Sequence, residues 1–462
     1  MTDQNPHRES TPQPMQLLTV EDLTPLVARG EITTVMLGVP DMMGRLKGKR
    51  LDARHFLSHL QAEMCAYVLA TDVDMRPLGG YALTGWHDGY RDLRITPDLN
   101  TIRRLSYLPG TVLIHGDAAY PTQDRVEVAP RQILREKLQE LANQHRVTVR
   151  VGVESEFVLY RGTEAQVRDA GYRDLTPVSP HNLDYALDHP PALSVFFHDL
   201  QDALAQAGAR VEAIKTEGAP GQIEVTWPYG DPLRACDAYT VHKHAVRHLA
   251  EQHRMTPTFM AAPQTGVGSG LHLHVSLWRD DEPLFAPPSH GELTDRLRHC
   301  VAGLIEALPH LAPLYAPTTN SYKRYARHSF APTAYTWGVD NRTCAIRVAG
   351  HRENTRLEVR LPGADANPYL ALAATVAAIT HGLTNHPKLP LPVTGDAYNT
   401  FDLLPVPDTL DEALADFRES HIARHYFGTT VVDHYARAAD VEIATERGQV
   451  TDTDRERGFL RA

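Results

Sequence analysis

The stretch 149-VRVGVESEFVLY-160 decides how the rest of the chain is read. Val149, Val151, Val153, Ser155, Phe157 and Leu159 alternate with their neighbours, so they share one face of a strand. Glu154 and Glu156 share the other. A half-buried strand ordinarily turns polar residues to water, so one such strand says little. Three more stretches repeat the pattern. In 221-GQIEVTW-227, Ile223, Val225 and Trp227 oppose Gln222, Glu224 and Thr226. In 270-GLHLHVSLW-278, Leu271, Leu273, Val275 and Leu277 oppose His272, His274 and Ser276. In 356-RLEVRLP-362, Leu357, Val359 and Leu361 oppose Arg356, Glu358 and Arg360. The polar faces are almost entirely Glu, His and Arg, the side chains that ligate metals and bind anions.

Glu154, Glu156, Glu217, Glu224, Glu358 and His272 form an oxygen-rich set. Such a set suits Mg²⁺ or Mn²⁺, and imidazole is tolerated better by Mn²⁺. It exceeds the needs of one ion and suits two or three. Clustered carboxylates repel one another unless cations neutralise them. Arg324, Arg342, Arg347, Arg356 and Arg360 follow downstream. Cations that bridge phosphate oxygens, with Arg forks on the developing charge, are what phosphoryl transfer requires.

The remaining sequence bounds the setting. The chain has 462 residues, 42% of them hydrophobic and 22% charged, which is ordinary globular chemistry with ample length for a core. A net charge of −11 argues against general nucleic-acid binding. Cys65, Cys236, Cys300 and Cys344 lie far apart, with no C-x-x-C pair, which fits a reducing, cytoplasmic compartment. No apolar run reaches the ~20 residues of a membrane span, and 369-YLALAATVAAIT-380 reads as a buried helix. Residues 1–16 read as a disordered tail without a secretory signal. Residues 32–51 read as two strands around a glycine turn, 111–118 as another strand, and 130–144 as an amphipathic helix. A break at 119-AYPTQDRVEVAP-130 divides a domain over 17–120 from one over 121–462. Strand and helix signals in mixed order point to an α+β fold.

Six ordered segments resemble the glutamine synthetase family: VGVESEF (151–157), EGAPGQIE (217–224), GVGSGLHLHVSL (266–277), PTTNSYKR (317–324), NRTCAIR (341–347) and RLEVRLPGADANPYLALAA (356–374). The resemblance implies a small β-grasp domain followed by a catalytic domain with a curved antiparallel sheet and flanking helices. It implies a ring-shaped homo-oligomer, usually a dodecamer of two stacked hexamers. Glu156, Glu217 and Glu224 resemble the ligands of a first metal, and Glu154, His272 and Glu358 those of a second. His274, Arg347, Arg356 and Tyr229 resemble residues on the ATP side. Arg324, Arg360 and Gly268 resemble those that hold glutamate, and Arg342 the arginine on the phosphoryl in flight. The implied reaction makes γ-glutamyl phosphate from glutamate and ATP, and an amine then displaces phosphate.

The chain departs from the ammonia-using members at two places. Phe330 stands where they carry a loop glutamate that binds ammonium. Gly79 or Gly80 stands where they carry an aspartate, on an alignment anchored at Trp86. Neither replacement can hold a cation by charge, and a phenyl ring suits the carbons of a substituted amine. The expected reaction is therefore a γ-glutamyl amide from glutamate and a small primary amine. Arg327 and His328 bring positive charge near the entrance and favour a monoamine such as ethanolamine. The alternatives are a γ-glutamylpolyamine synthetase, a true glutamine synthetase, and a non-catalytic family member. Asp72, Asp74 and Asp88 are candidates for taking the amine's proton.

Overall fold

The computed structural model describes residues 17–121, 125–287 and 292–461, so the tail expected over 1–16 lies outside the described residues. Six strands come first: β1 (Thr34–Pro40), β2 (Leu46–Asp52), β3 (Ala62–Cys65), β4 (Asp92–Pro97), β5 (Arg103–Arg104) and β6 (Thr111–Ala119). They form a sheet in the order β2-β1-β6-β4-β3, with β5 on β6. β1 and β2 are the hairpin expected over 32–51, and β1 runs parallel to β6. The hairpin turn requires Gly44, whose φ is 72°. A Cβ there would come within 2.9 Å of the Pro368 ring. The turn thus sits directly on the start of the helix Pro368–Asn385, and Asn367 Nδ2 donates to the carbonyls of Asp41 (3.1 Å) and Met42 (3.0 Å).

A second sheet has nine strands: β7 (Thr148–Arg161), β8 (Ala213–Thr216), β9 (Gln222–Gly230), β10 (Met255–Thr258), β11 (Leu271–Arg279), β12 (Glu282–Pro283), β13 (Trp337–Val339), β14 (Ile346–Ala349) and β15 (Arg356–Val359). The order is β13-β14-β15-β11-β7-β9-β8, with β10 beside β7 and β12 beside β11. The sheet is antiparallel as expected, save for the parallel pair β13 with β14 at its edge. The strand expected over 356–362 stops at Val359. Its next carbonyls serve a side chain instead: Arg324 Nη1 donates to Leu361 O at 3.0 Å and to Arg360 O at 3.3 Å.

The alternating apolar residues of β7, β9, β11 and β15 are buried as their spacing requires. The helices Pro130–His145, Pro232–Gln252 and Pro368–Asn385 belong to the same core, and Pro368 through Gly382 are all buried. Each of the three begins with proline in its first turn, where the missing N–H has no partner to lose.

One buried ion cluster joins these parts. Arg131, only 2% exposed, donates from Nε to Asp237 Oδ1 (3.0 Å), from Nη1 to Asp117 (2.8 Å) and from Nη2 to both Asp98 (2.7 Å) and Asp237 Oδ2 (3.0 Å). Tyr369 completes it with a 2.7 Å bond to Asp237.

Three buried histidines make the fold sensitive to acid. Burial, the leading cause for each, pushes His115 down to about 4, His242 to about 3 and His434 to about 4. These side chains stay neutral in the fold but charge near pH 6.5 when the chain unfolds. Their contribution is therefore intact above pH 6.5 and is lost as the pH falls towards the folded values, at ~1.4 kcal/mol per histidine per pH unit. Thermal melts from pH 7.5 down to 5 should show Tm falling, with each of these three histidines taking up a proton on unfolding. A flat profile would contradict this account.

Candidate active site

The pleat and the register together assemble a charged row on one face of the second sheet. His272 pairs with Glu154 across β11 and β7, and Glu224 pairs with Glu156 across β9 and β7. His274 and Arg347 each stand opposite Glu358, across β11/β15 and β14/β15. Read across the sheet, the row runs Arg347, Glu358, His274 and His272, Glu154 and Glu156, then Glu224. It ends in a residue that the sequence pattern did not single out: Lys215 on β8, opposite Glu224. Only its position two residues before Glu217 could have signalled it.

Members of this row, joined by Glu217 just past the end of β8, converge in two groups closely enough to hold an ion. Glu156, Glu217 and Glu224 offer oxygens within 4.8 Å of one another. Glu154, His274 and Glu358 do the same. The first trio matches the set expected from sequence. The second contains His274 where His272 was expected, because His274 faces Glu358 in the register. His272 stays close, with Nδ1 3.0 Å from Glu154 Oε2 and 3.9 Å from Glu358 Oε1. The donor chemistry of both sets, carboxylate oxygens with imidazole, fits hard or borderline divalent cations.

Hydrogen bonds fix the histidines. Arg324 Nη2 donates to His272 Nε2 at 3.4 Å, which leaves Nδ1–H for Glu154. Arg356 Nε donates to His274 Nδ1 at 3.1 Å, which leaves Nε2–H for the other Glu154 oxygen at 2.7 Å. These tautomers are assigned from the network. Burial opposes the charge on Glu154, but the two histidine bonds outweigh it and hold the carboxyl far below its usual range. Glu358 behaves alike: burial opposes its charge, yet Arg360 beside it brings the carboxyl down to about 2. Glu224 goes the other way, to about 9, through burial and then the neighbouring Glu154 charge. The row thus ranges from strongly ionised to proton-holding carboxyls, as crowded like charges require.

The remaining expected residues fall into groups. Arg324 is 4% exposed and its guanidinium lies beside the 268–270 segment. A Cβ at Gly270 would come within 2.7 Å of His272 Nε2 and 2.8 Å of Arg324 Nη2, so any larger residue would displace both side chains. Gly268 O accepts from Gln222 Nε2 at 2.8 Å, and the same nitrogen donates to Glu156 Oε2 at 3.0 Å. Arg360 pairs with Glu358 and also donates to the carbonyl of Phe330 at 3.3 Å. Phe330 adopts φ 58°, uncommon for an aromatic residue, and the residue is 63% exposed rather than part of the core. Arg347 joins Glu358 (2.8 Å) to Asp340 (3.1 Å). Arg342 is exposed in the turn before β14 and makes no hydrogen bond or ion pair among the described residues.

A cavity of about 390 Å³ opens beside Glu154. Gly152, Tyr229, His274, Ser276, Trp278 and Arg356 line it. The Tyr229 and Trp278 rings stack at 6.0 Å and 15°, and the Arg150 guanidinium lies 3.8 Å from the Trp278 ring centre. Ser276 stands on the polar face read from the sequence, whereas nothing in the alternation points to Trp278. Of the candidate bases, Asp88 is taken up by its own loop, accepting from Gly85 N, Tyr90 N and Arg91. Asp72 accepts from Arg76 N and Asp74 pairs with Arg76. Gly79 and Gly80 pack on Arg437, which donates to Gly79 O at 3.1 Å.

Two carboxylate-rich clusters able to hold divalent cations beside a cleft are an arrangement suited to phosphoryl transfer. The description "glutamine synthetase, catalytic domain" matches residues 127–458. A γ-glutamylethanolamide synthetase of Streptomyces coelicolor is 43% identical over 447 residues, 96% of either chain. A glutamate–isopropylamine ligase of a Pseudomonas species is 32% identical, covering 93% of this chain and 94% of its own. A γ-glutamylputrescine synthetase of Escherichia coli is 34% identical over 71% of this chain and 70% of its own. A solved structure, GmaS with ADP, shares the fold at TM-score 0.82 and 24% identity, over 95% of this chain and 99% of that one. The chain belongs to the glutamine synthetase family, and it is a ligase that forms carbon–nitrogen bonds. Enzymes of the family use ATP and divalent metals.

Proposed function

We propose that this enzyme joins glutamate to a small primary amine, with ethanolamine favoured, to give a γ-glutamyl amide for amine assimilation or detoxification. The observation that carries the reading is Phe330, an exposed ring whose carbonyl rests on Arg360. It offers apolar area to an amine's carbons and no charge to an ammonium ion. Support comes also from the Streptomyces relative at 43% identity, whose name gives ethanolamide as its product. Arg327 and His328 are both exposed on the same loop and disfavour a second ammonium, which ranks polyamines second and ammonia third.

Glu156, Glu217 and Glu224 are assigned to one cation and Glu154, His272 and Glu358 to another, as two or three Mg²⁺ or Mn²⁺ in all. Such ions supply charge neutralisation at phosphate oxygens when bound. Arg324 and Arg360 orient glutamate, with Gly268 at its amino end. Arg342, free of other partners among the described residues, is available to the transferring phosphoryl group. His274, Arg356 and Tyr229 hold ATP in the cavity that Trp278 also lines, and Arg347, bonded to Glu358 outside that lining, serves the same side. Residues 17–120 form the smaller unit and 121–462 the catalytic one, in a cytoplasmic ring of subunits, probed by mass measurement in solution.

The test is phosphate release with ATP, Mg²⁺ and glutamate across ammonium, ethanolamine, putrescine, spermidine and no amine. Ethanolamine should dominate. Phe330→Glu should lower kcat/KM for ethanolamine by about tenfold or more and raise ammonium use. Saturable turnover with ammonium in the native protein, equal to that with ethanolamine, would end the amine reading.

A further inference from the structure

Among the described residues, Lys215 is the cation that the sheet register inserts among the carboxylates of the Glu156–Glu217–Glu224 trio. Its ammonium pairs with Glu217 and lies 3.8 Å from Glu224 Oε2. A second berth adjoins the first: Asp184 Oδ1 at 3.9 Å and the Tyr185 ring centre at 4.4 Å. That berth is held in place. Thr216 Oγ1 donates to Leu183 O at 2.6 Å, and Tyr185 N donates to Thr216 O at 3.3 Å. β8 is paired to β9 along its whole length, so the Lys215 backbone cannot leave. Only the side chain can pivot between the trio and the Asp184–Tyr185 berth.

We infer that Lys215 is a tethered cation that competes with a divalent ion for Glu217 and Glu224, weakens its binding, and yields by pivoting onto Asp184 and Tyr185. The inference rests on reading the trio as a metal site. Its physics is charge repulsion at short range. An ammonium and a divalent ion that share two carboxylates in a half-buried pocket repel strongly, since few waters stand between them. The lysine also neutralises the trio, so the carboxylates keep their convergence without depending wholly on a dissociable ion. Cation affinity is thereby exchanged for a site that stays assembled and releases its ion readily.

The test is a calorimetric Mn²⁺ titration of the protein, with no ATP or glutamate present. Lys215→Met should bind Mn²⁺ about tenfold more tightly, ~1.4 kcal/mol, because the competing charge is gone. Lys215→Arg keeps the charge and should stay within about twofold of the native affinity. Asp184→Asn, a change at a half-exposed loop position that leaves the sheet alone, weakens the second berth and should lower the affinity about threefold. Unchanged or weaker binding in Lys215→Met would show that the lysine merely positions Glu217 and would overturn the inference. So would an unaltered affinity in Asp184→Asn, which remains readable even if Lys215→Met does not fold. A native protein that takes up no Mn²⁺ would remove the metal reading itself; one that binds Mn²⁺ no more weakly than Lys215→Met removes only the competition.

Discussion

Glu156→Gln should reduce turnover by on the order of 10³-fold, ~4 kcal/mol of transition-state stabilisation, while leaving the fold intact. The geometry makes this a clean substitution. Glu156 Oε2 already accepts from Gly270 N at 2.8 Å and from Gln222 Nε2 at 3.0 Å. A glutamine amide keeps its oxygen towards those donors, so its NH₂ turns towards Glu217 and Glu224. The trio then offers a donor where an anionic ligand is needed, and a cation loses both charge and a coordination position. Activity should fall with any amine, in contrast to Phe330→Glu, which redistributes activity among amines. Mn²⁺ stoichiometry should drop by one site, and the thermal melt should change little. A variant that kept turnover within tenfold of the native rate would take Glu156 out of the ligand set.

Arg131→Met should have the largest effect on stability, a loss of about 3–5 kcal/mol. The guanidinium satisfies Asp98, Asp117 and Asp237 at once. Its removal leaves Asp237 fully buried with a hydrogen bond from Tyr369 and, for charge, the buried Arg103 guanidinium and His115 3.9 Å away, neither of which forks onto it. Burial already opposes the charge on Asp237, and His115 and Arg131 bring the carboxyl down to about 2. Arg131→Lys keeps the charge but cannot fork to three carboxylates, so it should fall between the two. Urea unfolding followed by circular dichroism reads the result. Because Asp98 and Asp117 lie in the first sheet region and Asp237 on the helix Pro232–Gln252, the two sheets should also loosen from each other. A midpoint shared by native protein and Arg131→Met would mean that the cluster stabilises nothing.

The sequence showed the chemistry of the large sheet well because period-two alternation writes it directly into the chain. Glu154, Glu156, His272, His274 and Glu358 could be found without any knowledge of which strands are neighbours. What alternation cannot express is register. That His274 rather than His272 stands opposite Glu358, and that Lys215 closes the row, follow from pairing between strands far apart in the chain. The parallel β13/β14 pair was hidden for the same reason. The cluster around Arg131 was also illegible, since the carboxylates it gathers, Asp98, Asp117 and Asp237, come from separate parts of the chain with no local pattern to connect them. The short β15 was misjudged by length alone: the sequence keeps alternating to Leu361, but the carbonyls that would continue the ladder are taken by Arg324.

The charged row lies on paired strands, whereas Phe330, Arg327 and His328 lie on a loop. These two settings change under different rules. Inserting one residue into β7 ahead of Glu154 would swing both glutamates into the apolar core and destroy every function of the enzyme together. Insertions, deletions or exchanges around 325–332 leave the pairing of the sheet untouched. A lineage that keeps this sheet can therefore acquire a new nucleophile through a handful of loop substitutions, and laboratory libraries aimed at other amines belong in that segment.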